Sequence, residues 1–311
     1  MVAVLAGGTG GAKLARGMLD AADSLAVVAN TADDAAVYGV HVSPDPDLVT
    51  YWLADAIDER GYGIAGDTWS VMDALAAAGR ETWFRLGDRD LAMCLIRTEL
   101  LAGGSRLTEA HAEVVRAMGA GARVLPMCDE PVRTVVTTGG RERPFQEFMI
   151  VDRAATPIEG LTFAGVEAAA PAPEVLEALR EAEAIVIGPS NPVISIGPIL
   201  AVPGLREALR EAAAPVVAVS PFVDGRAVKG PTEPFMESAG LPVGPEGVLA
   251  AYGDVLDGIV SDEPVPGSPV PVLVTPTLMD DGAARARVAT ETLEFARSLA
   301  PGPHSGGADR L

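Results

Sequence analysis

Four glycines stand within five residues after the first apolar segment, in the run Gly7-Gly8-Thr9-Gly10-Gly11-Ala12-Lys13. Glycine lets a backbone approach a ligand closely, and the free N–H groups of a helix N-terminus favour negative charge. The turn therefore predicts a phosphate site made by Gly7, Gly8, Thr9, Gly10 and Lys13. It matches neither G-x-G-x-x-G nor the P-loop pattern G-K-[ST]. A tight strand-to-helix turn without a ligand is the alternative.

Polar residues follow the second apolar segment, in the run Asn30-Thr31-Ala32-Asp33-Asp34. The carboxyl ends of neighbouring strands in a doubly wound sheet line one crevice. If these two segments are such strands, we expect the polar groups of this run, Asn30, Thr31, Asp33 and Asp34, to face the ligand of the glycine turn. An Asx-capped loop is the alternative for this segment taken alone.

Carboxylates recur in three further runs. These are SPDPD at 43–47, GDT at 66–68 and LGDRD at 86–90, the last preceded by Arg85. Because Mg²⁺ in proteins is held by a few carboxylates with phosphate oxygens and water, acids beside a diphosphate indicate magnesium. We expect Asp47 and Asp67 to be the metal ligands. For a single acid a helix cap or an ion pair is the alternative, as for Asp67 before a helix or Asp88 beside Arg85.

Two later loops are dense in glycine, proline and serine. The first holds Ser190, Asn191 and Pro192, and the second holds Lys229, which with Lys13 makes up the two lysines of the chain. Hydroxyl, amide and backbone donors in a rigid frame suit a base or a phosphate. Together with the glycine turn and the second loop of the chain, they predict one ligand crevice at the strand ends.

The elements that must position these loops are short buried strands alternating with helices. The predicted strands are Val2–Ala6, Leu25–Ala29, Arg123–Pro126, Ala184–Gly188, Pro215–Ser220, Asp257–Ser261 and Val270–Thr275. Helix patterns over Ala12–Ala22 and Leu205–Ala213 alternate with them, as in βαβ units. We therefore predict an α/β fold with a doubly wound, Rossmann-like and mainly parallel sheet.

A helical insertion at about residues 47–118 interrupts this alternation and contains all three tryptophans. The stretch 133–150 alternates like a β-ribbon and is expected at the sheet edge. These patterns predict a single α/β domain over residues 1–300 that carries the insertion. A flexible tail rich in glycine, proline and serine is expected at 301–311.

The chain has 311 residues, 49% of them hydrophobic, and a formal net charge of −20. The charge argues against a nucleic acid or an anionic membrane as partner, because both would repel it. No apolar run approaches the ~18 residues of a membrane span. The N-terminus has no basic region or signal cleavage site, so we expect a cytoplasmic protein. Cys94 and Cys128 lack metal-ligand spacing and are expected to be buried.

Taken in order, the motifs resemble the 2-phospho-L-lactate transferase family of coenzyme F420 biosynthesis. They are GGTGGAKL, NTADD, SPDPD, GDT, LGDRD, VLPMCDEPV, FQEF, GPSNPVISIGPIL and SPFVDGRAVKGP, from Leu5 to about Tyr252. The resemblance implies transfer of a phospholactyl or related group from a guanosine diphosphate carrier to the deazaflavin Fo, with Mg²⁺ as cofactor and GMP as product. It also implies a homodimer. Lactate and enolpyruvate both remain open as the small acid.

Position by position, the resemblance implies that Asp47 and Arg85 contact Fo and are the catalytic residues. Thr31, Asp34 and Asp88 complete the expected Fo contacts. The glycine turn, Asn30 and the loop Ser190-Asn191-Pro192 are expected to bind the guanosine diphosphate part. The chain departs from the common family pattern at Pro46 and Leu48, where Leu and Thr are usual.

The expected reaction is attack of the ribityl hydroxyl of Fo on the phosphorus nearest the small acid, without a covalent enzyme intermediate. Such a transfer depends on alignment and charge neutralisation, for which no histidine base is needed. His41, His111 and His304 are expected to be structural or exposed. A nucleotide-sugar-binding regulator of the related gluconeogenesis-factor type is the alternative, against which SPDPD and LGDRD argue. A dinucleotide-dependent oxidoreductase is disfavoured by Lys13 in place of a third glycine.

Overall fold

A computed structural model describes residues 1–299 of the protein. Within this range the chain forms fourteen strands: β1 (Val2–Ala6), β2 (Leu25–Ala29), β3 (Ala35–Val37), β4 (Val40–Val42), β5 (Arg123–Pro126), β6 (Arg133–Thr138), β7 (Arg141–Pro144), β8 (Gly160–Ala164), β9 (Ala184–Ile187), β10 (Val216–Val219), β11 (Phe222–Val223), β12 (Arg226–Ala227), β13 (Gly258–Ser261) and β14 (Val272–Val274).

The same range holds eleven α-helices: α1 (Gly8–Ala21), α2 (Pro44–Leu53), α3 (Ser70–Ala77), α4 (Asp88–Ala102), α5 (Leu107–Met118), α6 (Pro173–Glu181), α7 (Gly197–Ala201), α8 (Leu205–Glu211), α9 (Thr232–Ser238), α10 (Pro245–Tyr252) and α11 (Gly282–Leu299). Three shorter helical turns cover Glu147–Val151, Val166–Ala168 and Pro192–Ile196.

The centre of the molecule is a seven-stranded sheet in the order β14-β13-β10-β9-β1-β2-β5, in which all neighbours are parallel. Each of its strands lies within one of the seven predicted segments, so the predicted fold class is confirmed. Every residue of β1, β2, β9, β10 and β13 is buried, as expected for a parallel sheet covered on both faces. The strand order reverses between β1 and β9, which places the crevice of a doubly wound sheet there.

Helices cover both faces of this sheet because successive strand side chains point to opposite sides. Val2 and Val4 belong to the core that α1 and α11 cover, whereas Ala3 and Leu5 belong to the core under α6 to α10. Helices α1 and α11 lie so close that a Cβ on Gly17 would stand 2.4 Å from the Arg285 carbonyl oxygen. The first helix begins at Gly8, earlier than the predicted start at Ala12, so the glycine turn is its first turn.

The region predicted as a helical insertion contains helices α2 to α5. Val49 and Trp52 of α2 pack on the core of the sheet, whereas α3 and α4 share a smaller apolar cluster with the β3–β4 hairpin. In this cluster α3 contributes the buried side chain of Met72 and α4 contributes that of Cys94. The single domain stays a prediction, and the tail at 301–311 lies outside the described residues.

The prediction of a β-ribbon over residues 133–150 at the sheet edge was wrong in two respects. Strands β6, β7 and β8 form a separate antiparallel sheet in the order β7-β6-β8. After β7 the chain turns into the short helix Glu147–Val151 instead of continuing as a strand. The reason is that Phe145 and Phe148, three residues apart, both pack against Phe235. Helical spacing puts such residues on one side, whereas a strand would separate them.

Among residues 1–299 no single helix is long and apolar enough to cross a membrane. One pair of helices, 192–201 and 205–211, reaches the required length and apolar composition when the two are taken together, but the pair is bent by 84°.

Candidate functional site

A cleft of about 300 Å³ opens at the carboxyl ends of β1, β9 and β10, beside the reversal in strand order. Its walls are the glycine turn, the loop after β9, the segment after β10 and residues 277–279 after β14. Open α/β sheets bind their ligands in this position. The cleft is therefore the candidate site.

Seven of the nine residues predicted to bind the nucleotide line this cleft. They are Gly7, Gly8, Thr9, Gly10, Lys13, Ser190 and Asn191. The other two lie just behind it. The amide nitrogen of Asn30 donates to Asp45 Oδ2 over 2.9 Å, and Pro192 begins a short buried helical turn. The structure thus brings the two predicted loops together at one surface.

Glycine is required in the turn partly by the neighbouring loop. A Cβ on Gly10 would stand 2.0 Å from the Pro189 carbonyl oxygen, and one on Gly11 would stand 2.6 Å from Ser190 Oγ. Gly8 has a φ of +68°, a left-handed backbone conformation that residues other than glycine rarely adopt. The N–H of Gly7 donates to Ser190 Oγ over 3.2 Å, which ties the turn to the loop.

Two carboxylates line the cleft, Asp33 and Asp45, and each is 7% exposed. Asp45 Oδ1 accepts the N–H of Gly8 over 2.8 Å, so a carboxylate sits at the N-terminus of α1. Burial raises the pKa of Asp45 to about 6, although hydrogen bonds from Asn30 and Gly8 oppose the shift. Burial also raises the pKa of Asp33, and the nearby carboxylates of Asp45 and Asp34 add to that rise.

The pair Asp33 and Asp45 fits a hard cation such as Mg²⁺. Asp33 Oδ1 is buried and has no hydrogen-bond partner in the described part of the chain. The pKa values of both acids are raised partly by neighbouring carboxylates, so a positive charge between them would stabilise their ionised forms. Mg²⁺ prefers one or two carboxylates together with phosphate oxygens. The cleft supplies such acids beside the glycine turn.

The predicted metal ligand Asp47 lies outside the cleft, in a buried ion pair. Its Oδ1 and Oδ2 accept from Nη1 and Nη2 of Arg97, each over 2.7 Å, and both side chains are nearly inaccessible to solvent. Ligand atoms of Asp47, Asp90 and Cys94 lie within 4.8 Å of one another. Because a guanidinium already binds Asp47 and the third group is a thiol, this cluster fits Mg²⁺ less well than Asp33 and Asp45.

The other predicted ligand, Asp67, caps a helix, but not the one that follows it. Its carboxylate accepts the N–H groups of Arg89 and Asp90 at the start of α4, over 2.8 and 3.0 Å. Asp88 in turn accepts the N–H groups of Ser70 and Val71 at the start of α3, both over 3.0 Å. Hydrogen bonds, first from the Thr68 hydroxyl and then from these N–H groups, lower the pKa of Asp88 to about 2. The two acids therefore link α3 and α4.

The residues predicted to contact Fo do not converge on the cleft. Asp34 accepts the Ser43 hydroxyl and faces His41 Nε2, each at 2.7 Å. Thr31 Oγ1 lies 3.9 Å from Cys128 Sγ in the core. Arg85 is 58% exposed and stacks on Trp69, 4.8 Å from the ring centre.

Of the three histidines, His111 is fully buried, His41 is partly buried, and His304 lies outside the described residues. Arg97 Nη1 lies 3.4 Å from His111 Nδ1. Because arginine only donates, Nδ1 must accept. Thr50 donates its own proton to the Pro46 carbonyl, so Thr50 Oγ1 accepts from His111 Nε2 over 3.2 Å. The site thus holds neutral imidazole, and burial lowers the pKa of His111 to about 4.

His111 should make the protein less stable in mild acid. Its folded pKa of about 4 lies below the ordinary 6.5, so the unfolded chain binds the extra proton between these values. The contribution of His111 to the free energy of unfolding is therefore complete above about pH 6.5 and is lost as the pH falls towards 4. From pH 7 to pH 5 we expect wild type to lose about 1–2 kcal/mol more than His111→Gln in urea titrations. Equal losses in the two proteins would contradict this protonation state.

Four polar residues that line the cleft stand in motifs identified in the sequence but received no individual binding role there: Asp33, Asp45, Ser195 and Lys229. Asp33 stands next to the predicted Asp34, Asp45 two residues from the predicted Asp47, and Ser195 three residues from the predicted Pro192. A signal was present for Lys229, since both lysines of the chain occur in glycine- or proline-rich turns.

The sheet order and the cleft define a Rossmann-like α/β protein with a glycine-rich turn at its switch point. A family model described as 2-phospho-L-lactate transferase CofD matches residues 2–271, so the chain belongs to this family, as its motifs predicted. Membership makes it a transferase of coenzyme F420 biosynthesis and speaks against the regulator and the oxidoreductase.

Relatives named phosphoenolpyruvate transferase and relatives named 2-phospho-L-lactate transferase are both similar to the chain. A phosphoenolpyruvate transferase of Kitasatospora aureofaciens is 39% identical over 318 residues, covering 97% of this chain and 99% of the relative. A 2-phospho-L-lactate transferase of Methanosarcina mazei is 40% identical over 263 residues, covering 84% and 86%. A crystal structure of a UPF0052 family protein from Bacillus halodurans matches with a TM-score of 0.62 at 17% identity, covering 94% and 98%. That likeness concerns the fold alone.

Proposed function

We propose that the protein transfers an enolpyruvyl phosphate or 2-phospholactyl group from a guanosine diphosphate-activated donor to the deazaflavin Fo and releases GMP. The observation that carries this proposal is the convergence of the glycine turn, both lysines and two carboxylates on one cleft. A diphosphate needs backbone N–H groups, cations and, with Mg²⁺, carboxylates in this arrangement. Family membership supplies the reaction class.

In the proposed complex the diphosphate lies at the glycine turn, near Lys13 and the N-terminus of α1. The guanosine lies towards Ser190 and Asn191, whose side chains offer hydrogen-bond donors and acceptors. Asp33 and Asp45 would hold Mg²⁺. When bound, the ion supplies positive charge that stabilises the phosphate oxygens and the leaving GMP.

On the acceptor side we propose that Arg85 makes the direct contact with Fo and that Asp47 acts as a positioning residue. The exposed guanidinium of Arg85 already stacks on Trp69, so the pair offers a charged and planar surface. Asp47 is only 4% exposed, and Arg97 binds both of its oxygens. It therefore acts on the acceptor through the placement of α2. A cytoplasmic homodimer remains part of the proposal.

The decisive experiment is turnover with defined donors. We expect the purified protein with Mg²⁺, Fo and the enolpyruvyl or lactyl donor to form GMP and a phosphodiester of Fo. Both donors are used, because a phosphoenolpyruvate transferase and a 2-phospho-L-lactate transferase each match 95% of the chain at 37% identity. Mass spectrometry of the product identifies the acid, and excess EDTA should abolish turnover. Absence of GMP with lactyl, enolpyruvyl and glyceryl donors alike would refute the proposal and favour a nucleotide-binding regulator.

A further inference from the structure

Lys229 lines the same cleft as Lys13. It follows the β11–β12 hairpin, and its Nζ donates to Thr9 Oγ1 over 3.1 Å. Thr9 stands in the first turn of α1, so the ammonium lies at the N-terminus of that helix. The Lys13 ammonium donates to the Met279 carbonyl oxygen over 2.8 Å from the other wall. Two cations thus border the space next to the glycine turn.

Within residues 1–299 neither lysine forms an ion pair, although the chain carries 43 acidic residues. Each ammonium is bonded to a neutral oxygen instead. Burial lowers the pKa of Lys13, and the positive charges of Arg285 and Lys229 lower it further. The two lysines therefore repel one another in this state, and an anion between them would remove that repulsion.

The segment that carries Lys229 has few contacts to hold it in place. Lys229 and Val228 are exposed, the latter by 56%. Gly225 and Gly230 flank the segment with φ values of +70° and +72°, and a Cβ on Gly230 would meet nothing within 4 Å. Such a segment can move towards a ligand without disturbing the core. It is tied to the glycine turn by the hydrogen bond from Lys229 to Thr9, in which a phosphate oxygen can replace the Thr9 hydroxyl and form a stronger, charge-assisted bond.

We propose that Lys229 is a diphosphate-binding residue that closes the cleft over the donor from the side opposite Lys13. The identity of the ligand as a nucleoside diphosphate rests on the proposed function. The role of Lys229 rests on its position at the N-terminus of α1 and on its lack of a carboxylate partner in the described chain. A diphosphate has enough charge and length to meet both ammonium groups, whereas a monophosphate at the turn meets one of them.

The test is direct binding of GDP, GMP and inorganic pyrophosphate with Mg²⁺, measured by titration calorimetry at low salt. Loss of one charged hydrogen bond should weaken GDP and pyrophosphate binding by about tenfold in Lys229→Ala, and GMP binding clearly less. Lys229→Arg keeps the charge and should bind GDP within about threefold of wild type. Arg226→Ala is the matched control, because it removes one exposed charge from the same hairpin outside the cleft lining. It should bind all three ligands as wild type does.

Unchanged GDP affinity in Lys229→Ala would overturn the inference. If Arg226→Ala lost as much GDP affinity as Lys229→Ala, the inference would also fall, because the effect would then come from the overall positive charge near the cleft and not from a bond made by Lys229. An equal loss for GMP and GDP would also overturn it. Because binding needs neither Fo nor turnover, this result is separate from the transferase test. A protein that binds GDP through Lys229 but never forms GMP would refute the transferase and leave the inference standing. If the wild-type protein forms GMP but Lys229→Ala binds GDP as tightly as wild type does, the transferase stands and the inference about Lys229 is refuted.

Discussion

Arg97→Met is expected to lower the free energy of unfolding by about 3–5 kcal/mol, the usual cost of leaving one partner of a buried ion pair unpaired. Arg97 is inaccessible to solvent, and Asp47, its partner over two bonds of 2.7 Å, is 4% exposed. The same guanidinium donates to the His41 carbonyl, so the substitution also leaves a backbone acceptor within β4 without this partner. Urea denaturation followed by circular dichroism measures the effect.

Two further variants separate the buried charge from simple loss of packing. Combining Arg97→Met with Asp47→Leu removes both charges and should recover most of the lost stability, since hydrophobic residues often replace such pairs at little cost. Arg116→Met is the surface control: its partner Glu113 is also exposed, and we expect a change within about 0.5 kcal/mol. If the single Arg97 variant is as stable as the control, the ion pair does not hold α2 and α4 together.

Gly10→Ala is expected to lose at least tenfold in GDP affinity and about 1–3 kcal/mol of stability, the usual range for overpacking. The new Cβ would stand 2.0 Å from the Pro189 carbonyl oxygen. The new Cβ and the carbonyl oxygen are both fixed to the backbone and cannot rotate away from each other. The glycine turn and the loop after β9 must therefore separate. That separation misplaces the N–H groups of α1, on which the proposed phosphate binding depends. Calorimetry with GDP and thermal unfolding measure the two effects.

Gly121→Ala serves as the control for this substitution. Its Cβ would meet the side chain of Leu19 at 3.4 Å, an ordinary contact that a leucine can adjust. We expect GDP affinity equal to that of wild type. If Gly10→Ala also binds GDP normally, the diphosphate does not lie at the glycine turn, and the proposed placement of the nucleotide is wrong.

The central sheet and the glycine turn were predictable because their signals are local. A parallel strand buried on both faces is a short apolar run, and seven such runs stand in the sequence. The turn after β1 is likewise fixed by four adjacent glycines. The ribbon at 133–150 was harder, because Phe145 and Phe148 look like strand residues until Phe235, far along the chain, gives them one common surface.

The choice between neighbouring acids was not predictable in the same way. Asp45 and Asp47 lie two residues apart on α2, so they point about 200° apart around the helix axis. Asp45 faces the cleft and Asp47 faces Arg97, fifty positions later in the sequence. The same holds for Asp33, which lines the cleft, and Asp34, which binds Ser43 and His41. Motif spacing identifies the segment, but the packing of α2 on α1 decides which carboxylate reaches the ligand.

By itself the sequence determined the family, the seven segments that form the sheet and the position of the glycine turn, since each depends on residues close together in the chain. Tertiary structure alone decided which carboxylates line the cleft, that Asp47 is paired with Arg97, and that Lys229 and Lys13 line the same cleft. These facts depend on contacts between segments that are 50 to more than 200 residues apart, as Lys229 and Thr9 are. No local pattern encodes the distance or orientation of such pairs, because both follow from how the helices pack on the two faces of the sheet.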